Sequence, residues 1–165
     1  MLIAAVLLLF IVFVHSAHFA GRTYRQDEAW LVHTSIVRVQ QNGLLPHLAS
    51  ALTDFTTEHP TLDIWVTFFG HLEPITRFLS SLLTVLALSL LLRLGRDFFN
   101  WHVALLAVFL LGSLSLWEFY VHEARSYTPL AVATAGFSLT ITRLIHTRRS
   151  SYGLLAVLFA LYGLY

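Results

Sequence analysis

The residues best suited to chemistry are Asp27 and Glu28, adjacent carboxylates in the stretch Arg25-Gln26-Asp27-Glu28-Ala29-Trp30. They follow an apolar run from Leu2 to about Ala20, so they fall where a membrane-spanning helix would meet water. A carboxylate at that depth stays ionised, escapes most of the cost of burial in hydrocarbon, and can reach a lipid headgroup. The same pair also suits a helix N-terminus, where acidic side chains favour the positive end of the dipole. Two further groups carry reactive side chains: Glu58-His59-Pro60, and Glu118 with His122-Glu123-Ala124-Arg125-Ser126-Tyr127. Together they offer bases, candidate metal ligands and a cation. Arg125 can grip a phosphate through two parallel hydrogen bonds, or can simply snorkel from a helix end. Glu73 and Arg77 have the i,i+4 spacing of a local ion pair.

The elements that must position these groups follow from composition. With 57% hydrophobic and 12% charged residues and a mean hydropathy of +0.72, the chain has too little polar surface to coat a soluble globule. The expected fold is all-α, a polytopic transmembrane helical protein with amphipathic interfacial helices in its first outer loop. The spans expected are 2–20, 75–92, 101–120, 127–144 and an incomplete one over 152–165, with the outer loop at 21–73. The first segment lacks the basic flank of a signal peptide and reads as a retained helix. At about 1.5 Å per residue, 152–165 reaches about 21 Å of a roughly 30 Å hydrocarbon core, so the chain reads as the N-terminal part of a longer protein.

Within the loop, Asp27–Gln41 reads as an amphipathic helix with Trp30, Leu31, Ile36 and Val39 on its apolar side. Asn42-Gly43 ends it. A second, shorter helix opens at His59-Pro60, where proline suits the first turn, and runs to Gly70. At about ten residues it is too short to span and belongs at the interface.

Arginine placement sets the orientation. Arg93 and Arg96 between the second and third spans, and Arg143, Arg148 and Arg149 between the fourth and fifth, make those loops cytoplasmic. Arg22 and Arg25 argue the other way. On this assignment every acidic residue except Asp97 falls on the outer side, the chemical face. A net charge of +1, with no concentrated basic surface, argues against a nucleic-acid partner. The absence of cysteine excludes disulfides and thiol chemistry.

The order of motifs resembles the N-terminal half of the GT-C membrane glycosyltransferases, nearest to bacterial protein O-mannosyltransferases and the aminoarabinose transferase. The resemblance rests on a span, then Asp27-Glu28-Ala29-Trp30, then His59-Pro60-x-Leu62 opening a short helix. After these come Glu73-x-x-x-Arg77-x-x-Ser80 entering a span and Glu123-Ala124-Arg125-x-Tyr127. It implies an inverting hexosyltransferase that moves a sugar from a polyprenyl-phosphate donor to an acceptor hydroxyl on a lipid, protein or glycan, on the periplasmic side of a bacterial inner membrane. Carried over, Asp27 is the catalytic carboxylate with Glu28 beside it, taking or orienting the acceptor proton. His59, Arg125 and Tyr127 would meet the donor phosphate, and Glu58 would hold a divalent metal ion if one is used. The chain departs from the family at Thr61, where a second proline is usual, and at Asp63-Ile64, where an aromatic pair is common.

Two other classes fit the composition. Histidines such as His15, His18, His102 and His122 could in principle ligate haem, but His102 and His122 lie at opposite ends of one expected span. A non-catalytic membrane subunit or a transporter fragment would need neither Asp27 nor Arg125, although no internal repeat of the transporter kind is visible.

Overall fold

The computed structural model describes residues 26–43, 60–70, 72–114 and 127–164, with residues 10, 45 and 46. Every element delimited among them is α-helical: α1 (Gln26–Asn42), α2 (Pro60–Phe69), α3 (Glu73–Phe98), α4 (Trp101–Gly112), α5 (Tyr127–Thr147) and α6 (Ser150–Leu164). The first expected span, 2–20, lies outside the described residues apart from position 10. Two helices are long and apolar enough to cross a membrane, over Pro74–Phe98 and Tyr127–Thr147; α4 and α6 are apolar but shorter.

Local chemistry explains most boundaries. α1 stops where Gly43 takes φ 76° and its amide bonds back to the Val39 carbonyl at 2.9 Å, a left-handed conformation that costs glycine little. α2 starts on Pro60 and ends the same way at Gly70, φ 92°. α3 carries Pro74 in its first turn and runs on past Leu92, the expected end, because nothing in Arg93-Leu94-Gly95-Arg96-Asp97-Phe98 stops it. Arg93 and Arg96 therefore lie on the last turns of α3 and not in a loop. Asn100 then starts α4, its side chain accepting from the Val103 amide at 3.0 Å. α4 closes at Ser113, so it covers the first 12 residues of the expected 101–120 segment, and 115–126 lie outside the described residues.

The helices form two packed groups that share α3. Its lower half packs on α4 through Leu88, Leu92, Ala104 and Val108. Its first half packs on α1 and α2 through Val32, Leu62, Val66 and Leu79. α5 lies beside α3 and pairs with α6 across a two-residue turn. Two polar contacts fix the directions. Arg143 on α5 meets Asp97 on α3 at 2.6 Å, so these helices run parallel with their C-terminal ends together. Thr61 on α2 bonds Tyr162 on α6 at 3.1 Å, which brings the end of α6 back to the level of α2. One end of the bundle thus gathers α1, α2 and the start of α3, and the other gathers Asp97 and the arginines around it.

The α5–α6 contact depends on small residues. A Cβ on Gly136 would overlap the Phe159 ring, and one on Gly163 would stand 2.8 Å from Ala133 Cβ. Close backbone approach of this kind is how apolar helices gain dispersion contacts where burial supplies little. Gly136→Ala is expected to destabilise the hairpin by about 1–3 kcal/mol through overpacking, read as a lower thermal midpoint in detergent. Gly136→Ala/Phe159→Leu should recover most of the loss. Equal midpoints for wild type and Gly136→Ala would show that the ring turns aside freely.

Several hydroxyl side chains within the apolar helices satisfy themselves locally, though the buried Thr128 hydroxyl does not. Thr84 donates to the Ser80 carbonyl at 2.8 Å, Ser89 to Val85 at 2.7 Å, Thr134 to Leu130 at 2.9 Å and Thr142 to Ser138 at 2.8 Å. Each of these donors is thereby paired within its own turn. Large apolar side chains face outward in number, among them Leu86 on α3, Leu106 and Phe109 on α4, and Leu154, Leu158 and Leu161 on α6.

Candidate functional site

Asp27 and Glu28 occupy the first turn of α1. Of the apolar side expected for this helix, Leu31, Ile36 and Val39 are half-buried, the first two against the apolar cluster, and Trp30 alone faces out. Trp30 is 60% exposed, whereas Glu28, Val32 and Ser35 are buried, with Leu31 and Ile36 partly so. At 100° per residue Trp30 sits about 200° round from Glu28, on the opposite side. The orientation follows a polar contact. The Glu28 carboxylate, 1% exposed, lies 3.4 Å from Arg77 Nη2 on α3. A charged pair removed from water must find its partner, and the helix turns to make that contact while Val32, one turn on, drops into the apolar cluster with Leu62, Val66 and Leu79.

Arg77 therefore reaches across to α1. The sequence pairs it with Glu73, whose side chain lies outside the described ones. Asp27 is placed in backbone only, adjacent to an anchored neighbour and about 100° round the helix from it. Glu58, His59 and Arg125 lie outside the described residues. Tyr127 is the first residue of α5, 39% exposed. It stands at the mouth of a groove of about 370 Å³ between α3 and α5, lined also by Leu91, Leu130, Thr134 and Ser138. The groove is apolar apart from hydroxyls. Of the histidines in the haem reading only His102 is described, at the start of α4. Among the described residues no three His, Asp or Glu side chains gather as a metal-binding group.

Three features of this end, Ser80 apart, were not singled out as site residues from the sequence. Asp63, noted only as a departure from the family pattern, is 2% exposed on the same face of α2 as Leu62 and Val66. The signal was available, since 62, 63 and 66 share one helical face. On α3, Thr76, Ser80, Ser81 and Thr84 are buried in a polar seam that continues from Arg77. Trp65 clamps α2 to the start of α3, its indole donating to the Ile75 carbonyl at 2.8 Å and its ring lying 4.3 Å from Phe69. Glu28, Asp63 and Arg77 thus put charge into the contacts among three helices, with Asp27 at their edge.

No protein-family model, curated protein or solved structure matches this chain.

Proposed function

We propose that this chain is the N-terminal membrane module of a glycosyltransferase that takes its sugar from a polyprenyl-phosphate donor. The observation that carries the reading is the burial of Glu28 against Arg77, which ties the Asp27-Glu28 turn to the head of an apolar helix long enough to cross a membrane. The outward-facing apolar side chains on α3, α4, α5 and α6 support insertion in a bilayer, since large exposed apolar patches are rare on a protein in water. α1 and α2 lie over the head of α3 as interfacial helices, and Phe68, Phe69 and Leu72 offer their apolar side chains to lipid.

In this reading the acceptor hydroxyl attacks the anomeric carbon, the bond to the phosphate oxygen breaks with inversion, and the hydroxyl proton passes to Asp27. Glu28 positions that carboxylate through Arg77 and touches no substrate. The departing phosphate is met by His59 and Arg125, with Tyr127 beside the groove where a polyprenyl chain has apolar walls. A divalent ion, if used, would be held by Glu58 and would neutralise the leaving group.

The test is transfer from a radiolabelled polyprenyl-phosphate hexose in proteoliposomes that hold the full-length gene product. Label should move to an acceptor hydroxyl with inverted anomeric configuration. Insertion without transfer and without donor binding would overturn the reading in favour of a non-catalytic membrane subunit or transporter fragment, for which Glu28–Arg77 is only a fastening.

A further inference from the structure

The end of the bundle remote from Asp27 carries an unbalanced charge. Asp97 is the one carboxylate placed there among the described residues, and Arg143 takes it at 2.6 Å. Arg93 Nε and Arg96 Nη2 stand off at 3.9 Å each from its other oxygen. At that distance they feel its charge without the geometry of a hydrogen bond. Beyond them, α5 and α6 are joined by Arg148-Arg149 alone. Both side chains are exposed, and neither makes an ion pair among the described residues. Among the described residues this end thus carries five arginines and one carboxylate, and three of the arginines stand near it.

The backbone adds a second observation. Arg148 has φ 52°, the only positive φ outside glycine among the described residues, and its amide closes α5 by bonding the Leu144 carbonyl at 2.8 Å. This is the left-handed cap that glycine fills at least cost, and a side chain there is strained by about 1–2 kcal/mol. An outlier of that kind, held where its side chain has no ion-pair partner among the described residues, points to a use outside the fold. The neighbours indicate which. Phe98, Phe99 and Ile145, at 56%, 72% and 68% exposed, surround the arginines with apolar surface. A soluble polyanion would leave that surface wet, whereas a lipid monolayer offers acyl chains to it and phosphates to the guanidiniums.

We propose that this arginine-rich end, with the Arg148-Arg149 turn at its tip, binds the phosphodiester headgroup of an anionic phospholipid. The inference rests on α3 and α5 crossing a membrane, and it is independent of sugar transfer. Arg148 and Arg149 supply the fork to the phosphate. Arg93 and Arg96 add charge, and Asp97 keeps Arg143 turned toward α3. The Phe98-Phe99 pair, ring centroids 6.3 Å apart, lies against the upper acyl chain.

The test uses the full chain in maltoside detergent, titrated with dioctanoyl phosphatidylglycerol or dioctanoyl phosphatidylcholine and followed by native mass spectrometry. Phosphatidylglycerol should bind in preference, and Arg148→Gln/Arg149→Gln should weaken it about thirtyfold while leaving phosphatidylcholine unchanged. Arg148→Gly separates binding from folding. It should raise the thermal midpoint of the lipid-free protein by relaxing the backbone, yet still lose affinity for phosphatidylglycerol. Equal binding of the two lipids, retention of phosphatidylglycerol by the double variant, or binding of soluble glycerol phosphate as tight as that of the lipid would each overturn the proposal. Carbonate extraction of cell membranes tests the premise separately. Release of the chain would overturn the membrane reading and this one together, while retention with no lipid preference would overturn this one alone.

Discussion

Arg77→Met is expected to lower stability by about 3–5 kcal/mol, because it leaves the Glu28 carboxylate buried with its guanidinium gone. Glu28 is 1% exposed and the Arg77 side chain 11%, so water cannot replace the lost partner without prising α1 from α3. The separation of 3.4 Å is long for a charge-assisted bond. The pair itself therefore adds little net stability, but breaking it is costly, and the two statements are compatible. Removing both charges with similar volumes, as in Glu28→Leu/Arg77→Met, should return most of the loss, since an apolar pair suits the neighbouring Val32 and Leu79. Thermal unfolding of the four proteins in detergent forms a double-mutant cycle. Additive losses would mean that the two side chains are not coupled and that the orientation of α1 has another cause.

That orientation also shows what the sequence could and could not reveal. Helix limits were legible wherever a residue has a backbone reason to stop or start a turn: Gly43, Pro60, Gly70 and Pro74 mark them directly. The buried side of α1 was legible only in part: Leu31 and Ile36 pack inward as expected, but an amphipathic pattern counts Glu28 as polar and Trp30 as apolar, and both lie the other way. In the structure a long-range partner 49 residues away outweighs that count. Arg93 and Arg96 were assigned to a loop because charge suggests one, yet a long side chain can leave the apolar zone from a continuing helix. The small-residue contact of Gly136 with Phe159 and of Gly163 with Ala133 depends on register between α5 and α6, which no single-helix periodicity reports. Of the candidate site, the placement of Asp27 and Glu28 at the start of a helix was readable, and the burial of Glu28 against Arg77 was not. A sequence does not show which carboxylate a partner 49 residues away will hold.

Asp27→Asn is expected to lower sugar transfer by about 10²–10⁴-fold while leaving insertion, donor binding and thermal midpoint unchanged. The magnitude is that of a positioned base removed from a step in which a hydroxyl must lose its proton as it attacks. The selectivity follows from the packing. Glu28 contacts Arg77, and the amide at position 27 keeps the shape of the side chain while removing its proton acceptor, so the Glu28 contact between α1 and α3 is kept. Glu28→Gln should behave differently. It weakens the contact, so stability and transfer should fall together, and transfer should recover in conditions that restore the fold. A fall confined to kcat for Asp27→Asn, set beside a paired fall for Glu28→Gln, would separate the residue that meets substrate from the one that positions it. Transfer unchanged in Asp27→Asn would remove the base from this turn altogether. The buried Glu28–Arg77 contact would then stand as the fastening of an interfacial helix, with the chemistry to be sought at Asp63, the other carboxylate that the described helices bury.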